Sequence, residues 1–500
     1  MRVLIVDPMF RFDGQNIFRF IRNKIKPRSV ITSININLGS LYLASVVMKR
    51  GYDVSVSICC KYDFDRTFRE YNPDILLISA MDIQAKSAIY IAKTAKSIKK
   101  SVKIIMGGYF PTACYEELLK ELPWLDFAVI GEGISTLEDI LLYYEGKIKS
   151  KGRIKGVAFV RKGKIVFTGY RELVNLDTIP FPARFLIKNV ESYLITSLGC
   201  FYNCRFCSIK NFYKRVHRKR SIKNVVEEIS YIRNIFKGNF INKIFIMDDD
   251  FLLDKNTLYE LEARLAKCSL EKMRFSCMMR LDQLIVPGTL EQLERLNFLK
   301  VKVGLQNISE EVLNYFRVGI NKSHIKKLIR LLKRNKKIKI RLFYIINSGL
   351  STETSASIRK NLMDFLFLIK GINNIQVDSS ILFPFSGSDV GGKSPFCQFA
   401  YSYSENVGYV SNETVSDLEL NKIYSEFIHE LNKRGQSNDR KLNIIFKAID
   451  NFFLFLTSSL QAKTKIRMVF DSIGWFFIAF TKMKRPPDYI KKRIEQKYFL

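Results

Sequence analysis

Three cysteines in the spacing Cys200-x3-Cys204-x2-Cys207 are the residues of this chain best suited to chemistry. They stand in the run Thr196-Ser197-Leu198-Gly199-Cys200-Phe201-Tyr202-Asn203-Cys204-Arg205-Phe206-Cys207. Cysteine thiolates are the usual protein ligands of iron–sulfur clusters. Three of them can hold three irons of a [4Fe–4S] cube and leave the fourth open to a small chelating molecule, which points to catalysis more than to electron storage. A partial zinc site is the first alternative, but structural zinc takes four ligands and no second Cys pair stands at ribbon spacing. Buried apolar thiols, or a disulfide with one cysteine left over, are the others. The spacing, the glycine before it and the aromatics within it favour the cube.

The elements around the run must position it. Ser192-Tyr193-Leu194-Ile195 leads in like a strand, which places the cysteines on a loop at a strand's C-terminal end, where barrel active sites lie. Strand–helix repetition continues to about residue 388: Ile244–Met247 ending in Asp248-Asp249-Asp250, Met273–Cys277 leading to Arg280-Leu281-Asp282, Val301–Gln306, Phe343–Ile346, and Ile375–Asp378. About six units predict an open, partial (β/α)6 barrel rather than a closed eight-stranded one. Three carboxylates together at one strand end are costly without a cation nearby; a solvated, helix-capping loop is the plainer reading. For Arg280 the plain alternative is an ion pair with Asp282.

Before the run, apolar stretches at 3–6, 54–59, 74–79, 102–106 and 127–130 alternate with helical patterns, notably 38–49 and 85–99. That alternation predicts a Rossmann-like, doubly wound parallel sheet, whose ligands sit at the C-terminal strand ends. Gly107-Gly108 and Gly131-Glu132-Gly133 fall at such ends. Residues 156–160 and 164–167 flank a turn, and Pro180 and Pro182 stiffen the segment after it, so 151–190 reads as a hairpin linker.

The cysteine run resembles the signature of radical S-adenosylmethionine (SAM) enzymes, Phe206 included. In that family the cofactor's methionine part chelates the open iron, and an electron from the cluster cleaves the sulfonium to a 5′-deoxyadenosyl radical. The resemblance implies a cofactor-binding role for Phe206, for Asp248 and Asp249 near the methionine part, for Arg280 near its carboxylate, and for Gly349 and Glu353 in Gly-x-x-x-Glu-Thr near adenine or ribose. Gln306 stands where relatives usually carry Glu, keeping the hydrogen bond and losing the charge. Asn37-Leu38-Gly39-Ser40-Leu41, Pro73-Asp74-Ile75, Gly107-Gly108 and Gly131-Glu132-Gly133 together resemble the cobalamin-binding (B12-binding) domain of one class of these enzymes, which implies corrin contacts at Leu38, Gly39, Gly107, Gly108, Gly131 and Glu132. The chain's three histidines, His217, His324 and His429, all follow that domain, so no imidazole from it reaches the cobalt.

The domains expected are thus 1–150 for cobalamin, 151–190 as linker, 191–390 as the radical SAM partial barrel, and a mainly helical region over 391–500. The resemblance implies a metal-binding, iron–sulfur methyltransferase acting on unactivated carbon with [4Fe–4S], SAM and cobalamin. Its partners would be a small-molecule, lipid or peptide substrate and an electron donor such as flavodoxin or ferredoxin. A cobalamin-dependent radical cyclase or oxidase is the alternative within that chemistry, and a basic RNA-modifying protein the alternative outside it. The net charge of +33 would suit nucleic acid or anionic membrane, but lysines are spread along the whole chain and the composition reads as genome-wide base bias, so no nucleic acid is expected.

Reduced thiols imply a cytoplasmic location. The start is too short in apolar residues for a signal peptide, and no stretch reaches the ~20 apolar residues that span a bilayer. Cys268 and Cys277 read as buried small hydrophobes, as do Cys59, Cys60 and Cys114. Residues 441–456 read as an apolar helix. The aromatic segment 473–480, flanked by Lys and Arg, reads as a cap over the barrel mouth or as a peripheral membrane contact.

Overall fold

Short apolar runs separated by amphipathic helices produce two parallel sheets. The computed structural model describes residues 1–8, 37–59, 61–186, 192–235, 243–251, 255–335, 337–383, 385–390, 415, 417–434 and 436. The helix expected over 441–456 and the aromatic segment 473–480 lie outside the described residues, as does Cys60.

The first sheet holds β1 (Arg2–Pro8), β2 (Asp53–Cys59), β3 (Ile75–Ser79), β4 (Lys103–Gly107) and β5 (Phe127–Val129), followed by β6 (Val157–Arg161) and β7 (Lys164–Phe167). Their order is β2-β1-β3-β4-β5-β6-β7. The first five are parallel, and β1 reads Val3 to Val6 without a polar break because both faces are covered. Leu4, Val6, Leu76 and Ile78 pack under one helix layer, and Val3, Ile5, Ile75 and Leu77 under the other. The chain reverses between β1 and β3, which is where an open sheet of this kind takes its ligand. The hairpin β6–β7 pairs antiparallel on β5. It therefore extends this sheet rather than bridging two domains, because β5 would otherwise leave an open edge.

The second sheet holds β8 (Ser192–Leu194), β11 (Lys243–Ile246), β12 (Arg274–Arg280), β13 (Phe298–Gln306), β14 (Lys339–Ile345) and β15 (Ile375–Ser380). All six are parallel, in sequence order from β8 to β15. This is the open partial barrel expected. Between its first two members, β9 (Ser197–Leu198) and β10 (Arg218–Lys219) make a small antiparallel pair that brackets the cysteine loop. Alternate strand residues such as Leu194, Ile246, Cys277, Val303 and Leu342 join one large core against the outer helices. Their neighbours face the other way, toward the barrel's interior.

Two side-chain groups lock the sheets together. Leu38, Leu41 and Tyr42, from the helix Leu38–Lys49, pack on Tyr193 of β8 and against Phe245 and Met247. Arg184, itself enclosed, donates to the Tyr193 carbonyl at 2.6 Å and pairs with Glu228 at 2.5 Å, while Arg220 engages the other oxygen of Glu228. One carboxylate thus serves two buried guanidiniums, with the Tyr193 and Ile195 carbonyls accepting from them as well.

Candidate active site between two strand-end loops

The cysteine loop starts where β8 ends and is held from below by the β11 end. Asp248 is fully buried. Its Oδ1 accepts from the Thr196 amide at 2.7 Å, and its Oδ2 accepts from the Ser197 hydroxyl at 2.7 Å and from the Thr196 hydroxyl. Asp249 Oδ2 accepts from the Gly199 amide at 2.8 Å. Burial pushes both carboxyls up to about 6, against the pull of these hydrogen bonds. Asp248 thus holds the loop from beneath, at the strand end where the resemblance places the cofactor's methionine part. Asp250 is different: Gln283 donates to its Oδ2 at 3.3 Å, while its Oδ1 is buried without a hydrogen-bond partner. His217, which the motif reading passed over, reaches the Ser197 hydroxyl and the Asp250 carbonyl, each at 3.2 Å.

Gly199 turns the chain into the cysteines with φ of 87°, and a Cβ there would stand 2.0 Å from the Val216 carbonyl oxygen. Only glycine fits. Gly199→Ala is expected to cost about 2 kcal/mol or more of stability and to lower the iron retained per chain, checked by urea denaturation and iron assay.

Cys200, Cys204 and Cys207 are half-buried and free of disulfides. Each lies within electrostatic reach of another: Cys204 raises the pKa of Cys200, and both raise that of Cys207. Burial is the larger cause, pushing Cys200 up to about 11 and Cys207 up to about 12. Arg280 and Lys210 oppose it at Cys204. Among the described residues no group of three or more His, Cys, Asp or Glu is gathered tightly enough to hold a single metal ion. A cube asks for something else, one sulfur on each of three separate irons. Three free thiols within eight residues of one loop, with Arg280 beside Cys200 and Cys204, fit that demand.

The loop is braced on its outer side. Phe206 stacks edge-on against Phe316 at 5.2 Å, the Arg205 amide donates to the Phe316 carbonyl at 2.9 Å, and the Arg205 guanidinium lies 4.3 Å from the Tyr315 ring. Phe206 therefore anchors the loop in the core. Buried Lys210 joins Asn203 at 3.1 Å to Asp389 at 2.6 Å, closing the loop onto the turn after β15.

The other expected residues are gathered at the same strand ends. Arg280 pairs with Asp282 at 3.0 Å, donates to the Val318 carbonyl at 2.6 Å and lies 3.4 Å from the Tyr202 ring. Its plain reading as an ion pair thus holds, and the pair stands beside the cysteines. Gln306 adopts a left-handed φ of 67°, and the register shifts there between β13 and β14, so its side chain folds back over Gly304. Glu353 accepts from the Ser348 and Gly349 amides at 2.7 and 3.2 Å and so shapes the Gly349 turn. Asn307, absent from the motif reading, is buried between strands and accepts from the Ile308 and Ser309 amides.

The first sheet presents its strand ends to this loop. Gly108 has φ of 103°, and a Cβ there would meet the Ala80 carbonyl oxygen at 2.6 Å, so the backbone after β4 lies flush with the β3 end. Asn37 caps its helix by accepting from the Gly39 amide at 2.9 Å and donates to the Ser79 hydroxyl at 2.8 Å. Leu38 is buried at that helix start. Asp7 accepts from the Ser40 hydroxyl at 2.6 Å, while its second oxygen is buried without a partner. Unpartnered buried oxygens on Asp7 and Glu132, with open backbone at Gly131, give these strand ends polar groups suited to the amide-rich rim of a corrin. Glu132 pairs with Arg218 of β10, and Tyr109 lies 4.5 Å from Phe212, ring to ring, facing Tyr213 and feeling Asp249 and Cys207.

Burial pushes Asp7 up to about 7, from 3.8 in a solvated chain. The folded state then keeps a proton that the unfolded chain releases, so stability from this group is full below the unfolded value and falls as pH rises toward 7. Asp7→Asn, which still accepts from Ser40, is expected to flatten that fall: urea midpoints of cofactor-free protein at about pH 5 and about pH 7.5 should diverge less in the variant.

Cys268, expected to be buried, is exposed near its helix end; Cys277 and Cys114 are buried as expected. No described helix is long and apolar enough to cross a membrane.

Residues 28–141 match the B12 binding domain family and residues 194–359 the radical SAM superfamily. An uncharacterised methyltransferase of Pyrococcus horikoshii is 30% identical over 253 residues, 47% of this chain and 53% of the relative. The anaerobic magnesium-protoporphyrin IX monomethyl ester cyclase of Cereibacter sphaeroides is 24% identical over 340 residues, 64% of this chain and 54% of the relative. The chain thus spans about half the length of the curated relatives it matches. The solved structure of the radical SAM methyltransferase TsrM from Kitasatospora setae, with cobalamin and a [4Fe–4S] cluster bound, aligns with a TM-score of 0.63 at 14% identity, over 95% of this chain and 99% of that one. That likeness is one of fold.

Proposed function

We propose that this chain, which joins a B12 binding domain to a radical SAM domain, methylates an unactivated carbon of its substrate. The radical SAM domain implies SAM and a [4Fe–4S] cluster, and the B12 binding domain implies cobalamin. Together these groups supply a 5′-deoxyadenosyl radical that removes a hydrogen atom from carbon and a methyl group to take its place.

The observation that carries the reading is the meeting of the two strand-end loops. Tyr109, next after Gly108, stands against Phe212 and Tyr213 of the cysteine loop, and Glu132 is clamped to Arg218. Groups held at these two ends would lie close to one another, as a transfer between them requires. Cys200, Cys204 and Cys207 would hold the cluster. Asp248 and Asp249 fix the loop that carries them, and Arg280 with the Gly349 turn would receive the polar parts of SAM. Leu38, Gly39, Gly107, Gly108, Gly131 and Glu132 would border the corrin, without an imidazole beneath it. Tyr109, Phe212 and Tyr213 would give the junction an aromatic wall.

The cyclase among the relatives favours a second reading, in which the same cofactors serve ring closure. The reductant in either case would be a small electron carrier such as flavodoxin or ferredoxin. Anaerobic reconstitution with iron, sulfide and hydroxocobalamin tests the proposal. Bound corrin, and 5′-deoxyadenosine on reduction with SAM, are expected. 5′-Deoxyadenosine without any corrin retention would remove the methyl-transfer step, and cluster loss with corrin retained would remove the radical step.

A further inference from the structure

Tyr202 stands between Cys200 and Cys204, and each part of it makes a separate contact. Its backbone amide hydrogen-bonds Cys200 and favours the thiolate there. The Arg280 guanidinium carbon lies 3.4 Å from the centre of its ring. Its hydroxyl donates to Asp282 at 3.1 Å. Asp282 also accepts from Arg280, from Nε at 3.0 Å and from Nη2 at 3.2 Å, and Nη2 donates to the Val318 carbonyl at 2.6 Å. Gly319 lies close behind, since a Cβ there would stand 3.8 Å from Nη2. A ring, a carboxylate and a backbone carbonyl thus fix the guanidinium in one place.

That fixed cation faces the sulfurs. Arg280 opposes burial at Cys204 more than any other group, by its charge and by a hydrogen bond, and its charge reaches Cys200 as well. The side chains of Arg280 and Asp282 are only 13% and 24% exposed, so water screens them weakly. Enclosing an ion pair costs desolvation that its attraction barely offsets, so stability alone does not account for its place. Charges and hydrogen bonds near the sulfurs do act on a cluster, because they set its reduction potential. An added electron makes the cube more negative by one charge. A nearby cation therefore favours the reduced form and a nearby anion the oxidised form. Asp282 is on the anionic side of this balance, as is Asp250, whose carboxyl feels both Arg280 and Asp282.

We propose that Tyr202 and Asp282 are positioning residues that hold Arg280 as a fixed positive charge beside Cys200 and Cys204, and that this charge raises the potential at which the cluster takes its electron. The step moves one electron from the carrier protein to the cube. The carrier is oxidised by one electron, the cube is reduced by one, and no bond forms or breaks. This role concerns electron entry rather than reception of SAM, and it rests on the reading that the three cysteines hold a cube.

The test is a redox titration with dithionite, followed by electron paramagnetic resonance, of the full chain reconstituted with iron and sulfide. SAM is left out, so a contact between Arg280 and SAM does not enter the readout. Arg280→Met is expected to lower the midpoint and to cut the reduced-to-oxidised ratio at the parental midpoint roughly tenfold, which is about 59 mV for one electron. Arg280→Lys keeps the charge and should fall between the two. Asp282→Asn still accepts from Arg280 and removes the opposing charge, so it should raise the midpoint. Tyr202→Phe keeps the ring and should lie near the parent, whereas Tyr202→Leu should move toward Arg280→Met. Iron and sulfide per chain check that each variant is loaded. Opposite shifts for Arg280→Met and Asp282→Asn are the signature, because a loss of structure alone does not give two signs. If Arg280→Met retains no iron, Asp282→Asn decides: a raised midpoint supports the proposal, and an unchanged or lowered one overturns it. Parental midpoints in both variants, or shifts of the same sign, overturn it too while leaving the cube reading intact. A parent that forms no reducible cluster overturns the cube reading and this proposal with it.

Discussion

Serine in place of Cys200, Cys204 or Cys207 is expected to abolish the cluster's visible absorbance and reduce 5′-deoxyadenosine to the level without protein. The three thiols sit on one short loop, half-buried and free of disulfides. Burial holds them protonated, so the positive charge of iron must displace each proton as the site loads. A serine hydroxyl resists that exchange far more strongly and is a poor match for a sulfur-ligated iron. With three protein ligands for one cube, none of Cys114, Cys268 and Cys277 stands by as a spare. Cys277 is sealed in the barrel core, Cys114 in the core of the first sheet, and Cys268 is exposed on a helix end. Serine at Cys114 or Cys268 should therefore leave iron content unchanged. Corrin binding should survive in all three loop variants, because its expected contacts belong to the first sheet. The assays are iron and sulfide per chain, absorbance, and mass-spectrometric detection of 5′-deoxyadenosine after reduction.

Asp248→Ala should be nearly as damaging, because the carboxylate holds the cysteine loop in place. It is fully buried, and three donors converge on it: the Thr196 amide and the hydroxyls of Thr196 and Ser197. Removing the carboxylate leaves those donors enclosed and unpaired, at a cost of about 3 kcal/mol or more. Ser197 is also the residue that His217 reaches, so the disturbance spreads to β10 and hence to Arg218 and Glu132. Asp248→Asn keeps the volume but turns one acceptor into a donor facing donors, so it should fall between parent and alanine variant. Urea denaturation of the cofactor-free protein reads the stability loss, and iron retained after gel filtration reads the effect on the loop. An alanine variant with parental stability would show that Asp248 does not organise the cysteine loop.

Much of the fold can be read directly from residue order. The strand–helix alternation places β1 to β5 and the six barrel strands, because buried parallel strands are near-continuous apolar runs whatever their partners. The hairpin β6–β7 was visible as a hairpin but not as part of the first sheet, since pairing with β5 is non-local. Cys268 shows the same limit: a cysteine at a helix end carries no sign of which face it takes. At the site, the motif located Asp248 but not the loop donors it binds, because the partners of a buried carboxylate are set by the fold and not by its neighbours in sequence. Tyr202 appears there as one aromatic between two cysteines. Only the place of Arg280 at the end of β12 turns its ring into the face on which that guanidinium rests. Tyr109 likewise became meaningful once Phe212 and Tyr213 stood opposite.

The central claim is one cube on three cysteines with one iron left for SAM. Mössbauer spectra of protein reconstituted anaerobically with 57Fe, recorded with and without SAM, test it most directly. A [4Fe–4S] signature in which one iron subsite alone shifts on adding SAM is the predicted result. A spectrum unchanged by SAM, or iron bound without cluster formation, would contradict the account.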